Sequence, residues 1–147
     1  MEEIKKDQAK TKFTASVPPK FGMNELATAV HENAVAHGWW DEPRSFPEIV
    51  ALCHSELSEA LEEYRAGHEA AQTYYACKKN PNMAGECDGE CYKCEHGKPE
   101  GIPSELADCI IRILDYCGHA GIDIERAIVE KHEYNRGRPY RHGGKKC

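Results

Sequence analysis

The chain has 147 residues, of which 40% are apolar and 30% are charged, and its formal net charge is −6. This length and composition are typical of a single globular domain with its own core. No stretch approaches the roughly 20 apolar residues that a helix needs to cross a bilayer, and no apolar signal segment follows the charged N-terminus. We therefore expect a cytoplasmic protein that binds neither membranes nor, given its net acidity, nucleic acid.

The N-terminal part combines a polar arm with a first helix. Residues 1–20 are polar and rich in lysine, which predicts a mobile arm ahead of a single helical domain over residues 21–147. The first helix is expected to run from about Asn24, a favourable N-cap, to His37. Gly38 follows at the position where helices often end in a left-handed glycine.

A second helix is predicted from Ser45 to about Arg65. Ser45 and Glu48 have the spacing of a capping box, and Pro47 falls in the first turn, where a missing N–H is tolerated. Residues 67–101 lose the apolar periodicity and are rich in Gly, Pro, Asn and Asp, which indicates a loop insert whose first residues could extend the helix.

Two more helices complete the predicted fold. The third is expected from Ser104 to about His119, with Gly121 as a breaker, and the fourth begins near Asp123. Since we find no internal repeat and no convincing strand, the sequence predicts an all-α bundle of about four core helices. The apolar residues expected to face the core are Val50, Cys53, Leu57, Ala60, Leu61 and Tyr64 on the second helix and Leu106, Ile110, Ile113, Leu114 and Cys117 on the third.

Five carboxylates flank these apolar rows. On a helical wheel Glu56, Glu59 and Glu63 lie within roughly 60° of one another beside the buried face. Glu105 and Asp108 repeat the arrangement on the third helix. If the two helices pack antiparallel, both groups face one groove, where a hard divalent cation such as Mg²⁺ would relieve their repulsion. The alternative is a solvated acidic face; a di-iron site is disfavoured because no histidine follows a glutamate by three residues.

Four stretches in this order resemble one known family: HENAVAHGWWDE, ALCHSELSEALEEYR, ELADCIIRILDYCGHAGIDIERAI and KHEYNRGRPYRHGGKK. The family is the all-α NTP pyrophosphohydrolases, the MazG-like superfamily that includes dimeric dUTPases. The resemblance covers about residues 22–66 and 102–146. It implies Mg²⁺-dependent cleavage of a nucleoside triphosphate between the α and β phosphates, giving NMP and pyrophosphate. It also implies a helical bundle completed in a homodimer or homotetramer.

The resemblance assigns metal and catalytic roles. The residues expected to bind Mg²⁺, or Mn²⁺ in its place, are Glu56, Glu59, Glu105 and Asp108. Glu63 would bind a second ion or orient water, and Glu59 and Glu63 are the expected catalytic residues. The family often has an acid where this chain has Ser55, which leaves the number of metal ions open.

The resemblance also assigns substrate contacts. The residues expected to clamp the phosphates are Lys131, Asn135, Arg138, Arg141 and His142. Trp39 or Trp40 would stack on the base, with core packing or an interface as the alternative for either one. Asn33 would read an edge of the base.

The insert departs from the family, because 45 residues separate Glu59 from Glu105. Its clustered cysteines are Cys77, Cys87, Cys91 and Cys94. A CxxC pair in a loop without its own core favours a structural zinc site, with a reduced loop or disulfides as alternatives. A second hypothesis for function follows: a non-catalytic helical module, stapled by this metal site, that binds nucleotides or a partner.

Overall fold

The fold is described by a computed structural model for residues 22–76 and 98–140. This part is mainly α-helical, which confirms the predicted class. The elements are α1 (Met23–Ala36), α2 (Phe46–Arg65), β1 (Tyr74–Ala76), β2 (Lys98–Glu100), α3 (Ile102–Ala120) and α4 (Ile124–Arg136). No helix among these residues is long and apolar enough to span a bilayer. The predicted arm, the four clustered cysteines, Arg141 and His142 lie outside the described residues.

Most of the predicted helix ends are confirmed. The Ser45 hydroxyl accepts a hydrogen bond from the backbone N–H of Glu48 at 3.4 Å, and α2 begins at the next residue. At the start of α4 the Asp123 carboxylate likewise accepts from a backbone N–H. Gly38 and Gly121 follow α1 and α3 with φ of 77° and 64°, a left-handed conformation that glycine adopts at little cost.

The start of α1 differs from the prediction, because Asn24 is not its N-cap. The helix begins at Met23, and the Glu25 carboxylate accepts from the backbone N–H of Gly22 at 3.3 Å. The Asn24 side chain instead accepts from the N–H groups of Ile124 and Glu125, at 3.0 and 3.3 Å. It therefore caps α4, whose first N–H groups have no partner within their own helix.

α3 packs against both α1 and α2. Later residues of α1 and of α2 meet earlier residues of α3, so α3 runs antiparallel to each. On the α1 side the backbones approach closely: a Cβ added to Gly118 would lie 2.6 Å from the carbonyl oxygen of Ala27. Ala27, Leu114 and Cys117 form the buried core there, and Ile124 packs against it. A side chain at position 118 would push the two helices apart.

A two-stranded antiparallel sheet joins the ends of the insert, and the expectation of no strand was wrong. β1 and β2 pair so that Tyr74 lies opposite Glu100 and Ala76 opposite Lys98. Each strand has three residues, which is too short for the apolar alternation that marks a strand in sequence. The Ser104 hydroxyl also donates to the carbonyl of Pro99 at 2.8 Å, so the sheet is tied to the start of α3.

The buried faces of α2 and α3 match the predicted ones only in part, since Ala60, Leu114 and Cys117 are buried as predicted. Buried residues are Ile49, Glu56 and Ala60 on α2, and Glu105, Cys109, Leu114 and Cys117 on α3. Glu56 and Glu105 each stand one residue before an apolar residue expected in the core, a rotation of about 100°. Seven predicted core residues are instead between 37% and 69% exposed, and we call them the outer apolar row: Val50, Leu57, Leu61, Tyr64, Leu106, Ile110 and Ile113.

Candidate functional site

The antiparallel contact of α2 with α3 brings three predicted metal ligands together. One carboxylate oxygen from each of Glu56, Glu59 and Glu105 lies within 4.8 Å of the other two. Asp108, one turn after Glu105, has a raised pKa because of burial and then because of the charge of Glu56. Helical spacing thus brings Glu56, Glu59 and Glu105 together, with the Asp108 carboxylate close enough to feel the charge of Glu56. Their role as metal ligands stays a prediction.

Glu105 supplies a second indication that this groove suits a cation. It is 2% exposed, and its Oε2 has no hydrogen-bond partner among the described residues. Its pKa is raised to about 7, mainly by burial; the charge of Lys98 opposes this shift, and the charges of Glu59 and Glu100 add to it. An unsatisfied buried oxygen is costly. An all-oxygen set of carboxylates is the type of site that hard divalent ions such as Mg²⁺ prefer, so the residues fit the ion that the motifs imply.

Glu63 lies one turn beyond Glu59 but outside this three-residue cluster. Its Oε2 lies 2.5 Å from Nδ1 of His68, and its Oε1 accepts from the hydroxyl of Tyr74 at 3.1 Å. Both oxygens are therefore engaged by the start of the insert. The sequence did not single out His68 or Tyr74, because their partner becomes visible only when the insert folds back on α2. The catalytic role of Glu63 stays a prediction.

Arg112 is a site residue that the sequence reasoning missed. Its Nε and Nη2 atoms both lie 2.6 Å from Oε1 of Glu56. Arg112 follows Asp108 by four residues, and residues at that spacing share one face of a helix. The spacing could have placed Arg112 beside Asp108, but it does not show that Arg112 pairs with Glu56 on α2.

A cleft of about 500 Å³ is lined by one of the four carboxylates, Asp108. This volume lies within the roughly 300–1,000 Å³ common for small-ligand sites. Its polar and aromatic lining residues are Asn33, Trp39, Arg44, Asp108, Arg112 and Asp115. Trp39 is 56% exposed, and the Arg44 guanidinium lies 5.1 Å from the centre of its ring. Two of the predicted base contacts, Asn33 and Trp39, therefore share one cleft with a predicted metal ligand.

Trp40 is already engaged in packing. Its Nε1–H donates to Asp115 at 2.9 Å, and its ring stacks on His119 with 3.9 Å between the ring centroids. His31 also lies 2.8 Å from Asp115 through Nδ1. The structural alternative thus applies to Trp40, whereas Trp39 keeps a face toward the cleft. The sequence did not predict that His31 and His119 contact Trp40 and Asp115.

The described part of the predicted phosphate clamp lies elsewhere. Lys131, Asn135 and Arg138 are exposed, and α4 packs against α1 near the Asn24 cap. Lys131 and Arg138 approach the ring of Tyr134 on their own segment, at 5.2 and 5.9 Å. One chain therefore does not bring these three side chains into the carboxylate cluster or among the residues that line the cleft.

No family model, curated protein or solved structure matches this chain. The resemblance to the MazG-like pyrophosphohydrolases therefore depends on the ordered motifs of the sequence. The geometry of the carboxylates and of the cleft is independent of that resemblance.

The cysteines of the described helices are free thiols. Cys109 and Cys117 are buried and Cys53 is half-buried, as expected for cysteines that act as small apolar side chains. Burial raises the pKa of the Cys117 thiol, which disfavours the reactive thiolate. The zinc hypothesis concerns Cys77, Cys87, Cys91 and Cys94, outside the described residues, and stays a prediction.

Proposed function

We propose that the protein is a cytoplasmic, Mg²⁺-dependent nucleoside triphosphate pyrophosphohydrolase of the MazG-like type. It would cleave its substrate between the α and β phosphates and release NMP and pyrophosphate. The observation that carries the proposal is the cluster of Glu56, Glu59 and Glu105, in which a buried oxygen of Glu105 lacks a partner among the described residues. Asp108, one turn after Glu105, lines a cleft large enough for a nucleoside, and so does Arg112, which contacts Glu56.

Within this proposal Glu56, Glu59, Glu105 and Asp108 hold the ion. When bound, Mg²⁺ would neutralise phosphate charge and make a bound water more acidic. Glu59 is the exposed member of the cluster, so its carboxylate is accessible to accept a proton from water. Asn33 and Trp39 would contact the nucleoside at the opposite end of the cleft.

We also infer that the working form is a homo-oligomer. The outer apolar row leaves seven large apolar side chains exposed on two neighbouring helices, which is unusual for a monomer. α4 carries the predicted phosphate clamp but does not deliver it to the cluster of its own chain. A second copy that covers the row and brings its α4 to the cluster would account for both observations.

Pyrophosphate release from a panel of canonical and modified NTPs, with Mg²⁺ or Mn²⁺, tests the proposed activity. We expect release by the wild-type chain and at least about 100-fold less by Glu59→Gln, since a bound metal ion contributes several kcal/mol to catalysis. Glu62→Gln is the matched control, because Glu62 is exposed and paired with Arg65. No release by the folded wild-type chain from any substrate would exclude the proposed activity.

A specific observation favours a second candidate, a nucleotide- or partner-binding module without turnover. Ser55 stands where the family often has an acid, and its hydroxyl donates to the carbonyl of Leu52 at 2.7 Å. Both oxygens of Glu63 are engaged as well. Metal-dependent nucleotide binding without pyrophosphate release would support this candidate. Zinc in the purified protein, lost in Cys91→Ser and Cys94→Ser, would support the structural metal site of the insert.

A further inference from the structure

Arg112 stands at the boundary between the carboxylate cluster and the cleft. It contacts Glu56 through two nitrogens, and it also lines the cleft together with Asn33 and Trp39. About one third of its side chain is exposed, against 6% for the side chain of Glu56. The guanidinium therefore borders both the proposed metal site and the proposed nucleotide site.

The contact with Glu56 places Arg112 in competition with a metal ion. A carboxylate as buried as Glu56 needs a positive partner, because an uncompensated buried charge is strongly destabilising. Both nitrogens of Arg112 bind the same oxygen, Oε1. A divalent ion held by Glu56, Glu59 and Glu105 would take over the charge that Arg112 now balances.

The released guanidinium would meet the phosphates of a ligand in the cleft. A guanidinium presents a fork of N–H donors that matches two phosphate oxygens. The other arginine of the cleft, Arg44, lies over Trp39 on the nucleoside side. Lys98 is paired with Glu100 on β2 at 3.0 Å. Among the cleft-lining residues, Arg112 is therefore the cation on the carboxylate side.

We propose that Arg112 is a substrate-positioning residue that exchanges partners when the site loads. It pairs with Glu56 in the metal-free protein, and it binds a phosphate group in the cleft once a divalent ion occupies the carboxylates. The phosphate nature of the ligand rests on the proposed function, whereas the competition between Arg112 and the ion follows from the contact with Glu56.

Partner exchange predicts effects of opposite sign on two affinities. If Arg112 competes with the ion, its removal strengthens metal binding. If it then binds phosphate, the same removal weakens binding of a metal–polyphosphate complex. A residue that only joins α2 to α3 would, when replaced, weaken both affinities or leave both unchanged. The sign of the two changes therefore separates the positioning role from a structural one.

The experiment uses the full chain and two titrations by calorimetry. The first adds Mn²⁺ alone, and the second adds the preformed Mg²⁺ complex of inorganic tripolyphosphate, a probe that carries no base. For Arg112→Gln we expect the Kd for Mn²⁺ to fall about 3-fold or more, since one competing charge is removed. The Kd for the tripolyphosphate complex should rise about 10-fold, the size expected for one charge-assisted contact.

Two further variants keep the result interpretable. Arg112→Lys keeps the charge without the fork, so its Kd for Mn²⁺ should stay near the wild-type value while tripolyphosphate binding weakens. Arg65→Gln removes an exposed arginine that is paired with Glu62 on α2, and it should change neither affinity. If Arg112→Gln does not fold, as judged by circular dichroism, Arg112→Lys is the test. It should weaken binding of the tripolyphosphate complex while leaving the affinity for Mn²⁺ unchanged.

The possible outcomes are distinct. Changes of opposite sign support the proposal, even if the wild-type chain releases no pyrophosphate, in which case the proposed activity fails and the role of Arg112 stands. Parallel changes, no change, or absence of Mn²⁺ binding to the folded wild-type chain would each overturn it.

Discussion

The α2–α3 groove and α4 carry equally distinct sequence motifs, but they differ in how far one chain completes them. In the groove Glu56 and Glu105 are buried, and the carboxylates of two helices approach within 4.8 Å. None of the residues of α4, all of which are described, is buried. Its ion pairs, such as Arg126 with Glu130, join neighbouring turns of one helix. In the described residues a single chain thus brings the proposed metal ligands together and leaves Lys131, Asn135 and Arg138 of the predicted phosphate clamp away from them.

The difference is consistent with the proposed homo-oligomer, because the outer apolar row and the exposed α4 belong to the same chain. Helices of this length are stabilised mainly by packing of an apolar face. A helix without a buried residue and an uncovered apolar row are both explained if each finds its partner on a second copy.

The largest expected effect is on pyrophosphate release by two inactive variants, one in α4 and one in the α2–α3 groove, measured alone and after mixing. Lys131→Ala and Glu59→Gln should each lower pyrophosphate release at least about 100-fold, because one removes a phosphate contact and the other a metal ligand. If α4 serves the cluster of another copy, mixed and reassembled variants regain activity. For a symmetric dimer with one intact site per mixed pair, recovery should approach about a quarter of the wild-type rate.

Recovery is measured after joint refolding of the two variants at equal concentration. Mixing Glu59→Gln with Asp108→Asn is the control, since both changes affect the same half of the site and should not complement. No activity restored by the first pair would place α4 and the cluster in the same chain. Activity restored by the control pair would instead show that Glu59 and Asp108 of one site come from different copies.

Glu105 gives a pH-dependent prediction for the groove. Its folded-state pKa of about 7 lies above the ordinary value of 4.5, so the native state binds more protons than the unfolded chain between these values. The free energy of unfolding therefore falls as pH rises from about 4.5 to 7, by at most about 3 kcal/mol for this group. Glu105→Gln should remove this part of the pH dependence in metal-free protein.

Thermal unfolding in the presence of a chelator, from pH 5 to pH 8, measures the difference between wild type and variant. The variant should be the more stable one at pH 8, and the two curves should converge toward pH 5. Glu62→Gln is the control, because its carboxylate is exposed. A variant that is less stable than wild type at pH 8 would contradict a desolvated, unsatisfied Glu105.

Leu57→Glu should separate the copies. Leu57 is 48% exposed in one chain, so a glutamate there is tolerated in a monomer but places a charge in a packed interface. We expect a lower mass in sedimentation and a loss of pyrophosphate release at least as large as that of Lys131→Ala, because the whole phosphate clamp is lost. Val35→Glu on α1 has similar exposure and should leave both unchanged. An unaltered mass for Leu57→Glu would remove the outer apolar row from the interface.

Local features of the chain were predictable, whereas features that depend on a distant partner were not. Ser45 and Asp123 cap helices that begin beside them in sequence, and both were predicted. Asn24 has the same chemistry, but it caps a helix that begins 100 residues later. The chain therefore specifies a good cap without specifying which helix end it binds.

The candidate site shows the same limit. Helical spacing placed Glu56 with Glu59 and Glu105 with Asp108, since one turn suffices for the argument. Periodicity also located the apolar row, but it does not say whether the same chain or a second copy covers it. Of the predicted core residues, Ala60, Leu114 and Cys117 are buried, whereas the outer apolar row is exposed. Arg112 was missed because its partner, Glu56, lies on another helix.

The smallest expected effect separates Trp39, which lines the cleft, from its neighbour Trp40, which packs against His119. Trp39 is exposed and lies under the Arg44 guanidinium, so Trp39→Ala should raise KM about 5-fold with little change in stability, as expected for one lost stacking contact. Trp40→Phe keeps a ring but loses the N–H that binds Asp115, and it should lower the free energy of unfolding by about 1–2 kcal/mol. Steady-state kinetics and urea unfolding of both variants measure the split. The reverse pattern, with KM changed by Trp40→Phe and stability by Trp39→Ala, would show that Trp40 binds the base and that Trp39 has the structural role.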